Sequence, residues 1–529
     1  MRRLALLGAV LLALAAVTGV AWATRSDGTG TSAKTSAQAA AVTSVTRSCP
    51  PPASGTARIA MIAMPSQTKA AKSSSATPAG SATLSMVLAE PSAGATAPAT
   101  KTAKPSASKA SGTATSGTAT SGTTASHGGK SKSKPSASAR PSATGPVSVS
   151  APGTVALLSE PGTGGSTVAA TGQMAEGLEA EQSDASGMGL VSCTHPGSDM
   201  WFAGTGTSAG ASAVRLYLMN TATVTASVDV TILTDTGEQE GLNSAVTVPP
   251  GQSATVDITP YVHGSQALAL HVQAAIGQVA AAVWEGAKGG GAWLPQAAAP
   301  ATTLVIPGLT VASSAARLFV TVPGSTDAQL TVVAYTPAGK AVQFPGAPVD
   351  ASAGATTPLA LSSLGASVAG LKLTSNVPIV AGVLIPGAGI GSFTSAAAPV
   401  VEQGVVAGNP AVKGDTVGLL LTAPSAAAQV SISVISSDGT VTAPAADQSV
   451  TVKAGHSLAV AVPRPPGSRK PFAIVIKPQA GSGPLYAVRV VTTGTGGLSA
   501  PVASLLTVPS ALTSITLPPV GSSYRAVLP

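Results

Sequence analysis

Three stretches of this chain alternate apolar and polar residues with a period of two, and each is closed by a glycine turn. Val228-Asp229-Val230-Thr231-Ile232-Leu233 runs into Thr236-Gly237, Leu330-Thr331-Val332-Val333-Ala334-Tyr335 into Ala338-Gly339, and Val430-Ser431-Ile432-Ser433-Val434-Ile435 into Asp438-Gly439. Such short alternating runs put one face in a core and one in water, so they predict half-buried antiparallel strands. They also recur, with a period of roughly 100 residues. The strands preceding them recur too: Val214–Leu218, Arg317–Thr321 and Gly418–Thr422, with Pro323 and Pro424 at matching turns. A later hairpin repeats as Leu270–Val272 with Val279-Ala280, Leu371–Leu373 with Val380-Ala381, and Phe472–Ile476 with Tyr486-Ala487. About seven short strands per unit at this turn spacing predict an all-β fold of tandem immunoglobulin-like β-sandwich repeats. About three units of ~100 residues are expected, over 200–300, 301–402 and 403–510, with a C-terminal tail at 511–529. A propeller is the main competitor, but its blades are about half as long.

Upstream of the repeats the pattern is broken. Strand candidates occur at Arg58–Met64 and Leu84–Leu88 within 49–90, then at Val147–Val149 and Val155–Leu158 within 147–199. This split N-terminal β segment is interrupted at 91–146, where the chain reduces to Ala, Ser, Thr, Gly, Pro and Lys. Too little apolar area is present there to offset chain entropy, so a disordered insertion is expected, and one suited to O-glycosylation. The stretch through Met174, Glu176, Glu179 and Glu181 reads as a weak helix or loop.

Composition narrows the class. Of 529 residues, 44% are hydrophobic but only 3% aromatic and 9% charged, so the cores must be filled by Val, Leu, Ile and Ala. The net charge of +8 is unevenly placed. Residues 1–140 hold fifteen Lys and Arg against Asp27 and Glu90, whereas the remainder holds thirteen bases against eighteen acids. Lys101, Lys104, Lys109, Lys130, Lys132 and Lys134 lie in low-complexity sequence rather than on an aromatic-studded face, which argues against nucleic acid as a partner.

The N-terminus reads as an export signal. Arg2 and Arg3 precede an uncharged run from Leu4 to Ala23 that ends in Ala21-Trp22-Ala23, predicting cleavage between Ala23 and Thr24. About 20 apolar residues also suffice to span a bilayer, so an uncleaved signal anchor over 1–23 is the alternative, and the only contact with membrane expected. A polar linker follows at 24–48. Cys49 and Cys193 are the only cysteines, which suits an oxidising compartment and one disulfide; two separate buried thiols are the alternative reading.

Few constellations suggest chemistry. Gly206-Thr207-Ser208-Ala209-Gly210 matches the G-x-S-x-G of a nucleophile elbow, but a strand pattern follows it where that motif needs a helix. Glu176, Glu179, Glu181 and Asp184 lack the loop spacing of a calcium site and read as a solvated loop. No cofactor and no metal ligand set is expected. Trp201, Trp284 and Trp293 are candidates for a sugar-stacking platform, against the plainer reading that they plug an Ala- and Val-filled core.

The stretch Cys193-Thr194-His195-Pro196-Gly197-Ser198-Asp199-Met200-Trp201-Phe202-Ala203-Gly204, followed by Leu216–Asn220 and the repeated hairpins, resembles an actinobacterial exported protein family known as domain of unknown function 5719. The resemblance covers most of residues 49–510 and implies a secreted or anchored envelope protein, with no catalytic residues to carry over. The expectation is a non-enzymatic, exported cell-envelope protein, a scaffold or binding module for envelope glycans or proteins. A carbohydrate-binding protein using the tryptophans is the first alternative, and a serine hydrolase at Ser208 the remote one.

Overall fold

Alternation decides the strands. In Ala328–Tyr335 the side chains of Ala328, Leu330, Val332 and Ala334 are buried, and in Ala428–Ile435 those of Ala428, Val430, Ile432 and Val434. Fully burying one such Val or Leu contributes about 1.5–3 kcal/mol, so the phase of each strand is held by several of them at once. Our computed structural model describes residues 38–53, 55–65, 80–86, 88–89, 146–160, 164–184, 189–240, 242, 245–309, 315–339, 342–364, 370–387, 389–442, 449–494, 497–499 and 502–517. Among these every regular element is a strand or a short 3-10 turn, so the fold is all-β. The cleavage site at Ala23-Thr24 and nearly all of the low-complexity insertion lie outside the described residues.

The chain forms two units. One holds a two-stranded antiparallel ribbon, Gln38–Ala41 with Ser514–Leu517, placed on stretches expected to be linker and tail. The other, Val42–Thr513, holds all the remaining sheets.

Within that larger unit one pairing scheme recurs, and it is clearest over residues 199–294. The leading strand Asp199–Thr205 pairs with Ala267–Ile276, which also pairs with Ala226–Thr234. In the facing sheet Ala213–Met219 lies between Gln252–Asp257 and Ala280–Ala287, and the latter pairs with Gly290–Leu294. Both sheets contribute to one apolar cluster containing Phe202, Leu216, Val230, Leu270 and Val283. The same pairs occur at 301–395 and 404–507. In the former, a single strand, Gly370–Ile385, serves both sheets, its first half in one and its second half in the other.

The scheme occurs four times rather than the expected three. Ser44–Cys49 pairs with Ser166–Thr171, which pairs with Ala82–Met86; Ala57–Ala63 lies between Ala156–Glu160 and Leu178–Asp184, and the latter pairs with Val191–Ser192. The split N-terminal segment is thus a first copy, interrupted between its third strand and Val147–Val149. Leu88–Ala89, just before the interruption, adds in parallel to Gln252–Asp257 of the second copy. The stretch read as a weak helix or loop is the strand Leu178–Asp184, preceded by a 3-10 turn at Gly172–Met174. The pairing departs from the ABED and CFG sheets of immunoglobulin constant domains: over 199–294 the leading strand flanks the seventh strand, and the second strand lies between the sixth and the eighth.

The copies contact one another in cyclic order. Val191 of the first packs on Tyr217, Ala282 and Trp293 of the second. Phe319, Leu384 and Phe393 of the third enter the core of the second. Leu420, Val488 and Leu505 of the fourth join the core of the third. Ala60, Ile62 and Met64 of the first meet Val405, Ala407 and Val475 of the fourth.

Candidate functional site: a pocket where four crossovers meet

After its last strand, each copy crosses back to its own leading strand. Thr194 exchanges backbone hydrogen bonds with Ser48 (2.7 and 2.9 Å), Ala297 N–H donates to Trp201 O (2.8 Å), Ala397 N–H to Val305 O (3.0 Å), and Gly404 bridges Ser510. These four crossovers converge on one pocket of about 340 Å3, within the usual range for small-molecule sites. Its walls are mainly apolar, with Phe202, Trp293, Leu505, Leu506 and Val508 among them.

The polar end comes from the first copy. Arg47, on the leading strand, points Nη2 at Glu179 Oε1 (2.7 Å) and at Leu178 O (3.3 Å). Burial pushes the Glu179 carboxyl above its ordinary value, opposed by the Arg47 charge. His195 keeps an exposed edge, yet packing and the Arg47 charge both lower its pKa. Behind Glu179 the same strand carries Glu181, which accepts from Ala407 N–H (2.6 Å) and Gly408 N–H (3.2 Å) of the fourth copy. Burial raises its pKa, and the charge of Arg489 opposes the rise. Glu176, Glu179 and Glu181 are therefore not a solvated loop: each is under 10% exposed, and two of them face arginines. Among the described residues no group of three His, Cys, Asp or Glu is placed to hold a metal ion.

Cys49 and Cys193 form a disulfide, with both residues buried, and Cys193 lines the pocket. The bond reinforces the Ser48–Thr194 crossover, where the other three copies rely on hydrogen bonds, and it suits an oxidising compartment. Trp293 is 8% exposed and lines the pocket. Trp201 is buried at 5% and stacks on His271 at 4.0 Å between ring centroids. Trp284 is half-buried; its ring lies over Gly286 and Gly291, where a Cβ would come within 2.4 and 2.2 Å of it, and Arg215 sits 5.8 Å from its centroid. The three tryptophans therefore do not share one open platform. Ser208 lies in an exposed 3-10 turn, donates its N–H to Ser265 O (2.9 Å), and is followed by the strand Ala213–Met219.

Sequence reasoning missed Glu285, which is fully buried. It accepts from Thr205 N–H at Oε1 (2.9 Å) and from the Thr205 hydroxyl at Oε2 (2.5 Å). A Cβ on Gly204 would lie 2.2 Å from Oε1, so glycine there is what makes room for the carboxyl. Desolvation raises the Glu285 pKa from 4.5 to about 8. Between those values the folded protein holds a proton that the unfolded chain has released, so stability falls as pH rises, by about 1.4 kcal/mol per pH unit from this group. The contribution is complete below pH 4.5 and lost above about 8. Gln donates and accepts as the protonated acid does. Glu285→Gln is therefore expected to be close to the parent at pH 5, to exceed it in urea midpoint increasingly up to about pH 8, and to hold a constant margin above that. A difference that stays constant from pH 5 to about 8 would refute the protonated state.

The model of the family of unknown function DUF5719 matches residues 143–463, more than half of the chain. The chain belongs to DUF5719. The DUF5719 match starts just before Val147–Val149 and ends just after His456–Val462, so it is narrower than the expected 49–510 and omits the opening strands of the first copy. No curated protein and no solved structure matches the chain.

Proposed function

We propose that this DUF5719 chain is a non-enzymatic, exported binding module of the actinobacterial cell envelope, each copy being a variant immunoglobulin-like sandwich with exchanged edge strands. One observation carries the reading: the same crossover segment of all four copies converges on a single pocket. Strand-borne walls of this kind hold side chains in fixed positions, which suits recognition of a ligand. The disulfide and the apolar leader support export. No helix among the described residues is long and apolar enough to cross a membrane, and the run Leu4–Ala23 lies outside them.

Fractionation of native cells with N-terminal sequencing tests the export reading. The expected result is a chain starting at Thr24 in the medium or wall fraction, or an intact N-terminus in the membrane fraction. Recovery from the cytosol with Cys49 and Cys193 reduced would refute it.

A further inference from the structure

The pocket has a chemical polarity that the binding-module reading leaves unused. Its walls are hydrocarbon and aromatic, and its one cationic side chain, among the described residues, is Arg47. That guanidinium commits only Nη2 to the protein, on Glu179 and Leu178; Nε and Nη1 make no bond to a described residue. The hydroxyl of Thr507, also in the lining, is buried without a hydrogen-bond partner among the described residues. Glu179 is the sole carboxylate of the lining, and its Oε1 accepts from Arg47 Nη2.

We infer that the pocket binds a small apolar carboxylic acid, its chain against Phe202, Trp293 and Leu506 and its carboxylate on the free N–H edge of Arg47. A guanidinium offers paired N–H groups in the geometry a carboxylate accepts. A neutral apolar ligand would displace water from those N–H groups and return nothing, a penalty that makes such sites discriminate strongly. A cationic ligand would add a second positive charge beside Arg47, whose own charge the lining's one acid, Glu179, already balances.

The inference rests on the binding-module reading, and its test separates the two. Decanoate, decanol and decyltrimethylammonium are titrated into the mature protein, followed by calorimetry and by the fluorescence of Trp293. Decanoate is expected to bind at least tenfold tighter than decanol, and the ammonium weakest. Ala398 lines the pocket with an exposed side chain, so Ala398→Trp fills the pocket without entering the core and should abolish decanoate binding. The double variant Arg47→Met/Glu179→Gln removes the ion pair without stranding either charge and should bring decanoate and decanol to equal affinity. Equal affinity in the parent protein, or decanoate binding that survives Ala398→Trp, overturns the inference. So does an exported protein that ignores all three probes, a result that leaves the export reading standing.

Discussion

Replacing Cys49 and Cys193 together by alanine is expected to lower the stability of the folded protein by about 4–5 kcal/mol, the largest effect of any substitution pair proposed here. The two residues are 144 apart in sequence, so in the unfolded chain the bond closes a long loop whose entropy is otherwise free. In the folded chain it joins the end of Ser44–Cys49 to the crossover that follows Val191–Ser192. The equivalent crossovers at Ala297, Ala397 and Ser510 have no such bond, but their copies are not interrupted by an insertion between the third strand and the next. The loss should therefore be local before it is global. Hydrogen exchange is expected to speed up first in Ser44–Cys49 and Ser166–Thr171, with the fourth copy still protected. Equal thermal midpoints for the oxidised protein and the alanine pair would refute the assignment.

Glu181→Ala is expected to cost about 3–5 kcal/mol, because it removes the charge that offsets the buried Arg489 and strands the Ala407 and Gly408 N–H groups that Glu181 accepts from. Arg489 is fully buried, and its Nε, Nη1 and Nη2 have no hydrogen-bond partner. The charge of Glu181 is what compensates it across the contact between the first and fourth copies. By strand register Arg489 stands where the second and third copies have Val283 and Val383, both in apolar cores. That comparison supplies the control. Arg489→Met with Glu181→Gln should recover most of the loss, since the methionine suits a position that is apolar elsewhere and Gln Oε1 can still accept from Ala407 N–H. Urea unfolding of Glu181→Gln, Arg489→Met and the double variant measures the coupling. Additive losses would mean the two charges do not act on each other. If both single variants are also more readily cleaved by protease at 404–409 than at 199–205, the damage lies at the closure of the cycle of copies.

The local pattern was enough for the strands of the three later copies, because alternation and glycine turns act within a few residues. The runs beginning at Val228, Leu330 and Val430 lie within observed strands for that reason. The all-β class, the pairing of the only two cysteines and the family resemblance also followed from residues adjacent or alone in the sequence.

The first copy was hidden for a physical reason. Its strands are separated by a long low-complexity run, and its last long strand, Leu178–Asp184, alternates acids with small residues where the other copies carry valines. Glu179 and Glu181 look solvated until Arg47 and Arg489 arrive from 132 and 308 positions away, and only the packing of the first copy against the fourth brings Arg489 there. The pocket is likewise absent from any local window, since it is made of four crossovers spread from Leu190 to Ser510. The charge of a carboxyl such as Glu285 is decided at the same level, by how much water the assembled sheets exclude from it. Period and turn chemistry are properties of neighbours in the chain and so could be read from the sequence. The first copy, the buried charges of Arg47, Glu179, Glu181 and Arg489, and the pocket depend on neighbours in space, which only the tertiary structure decided.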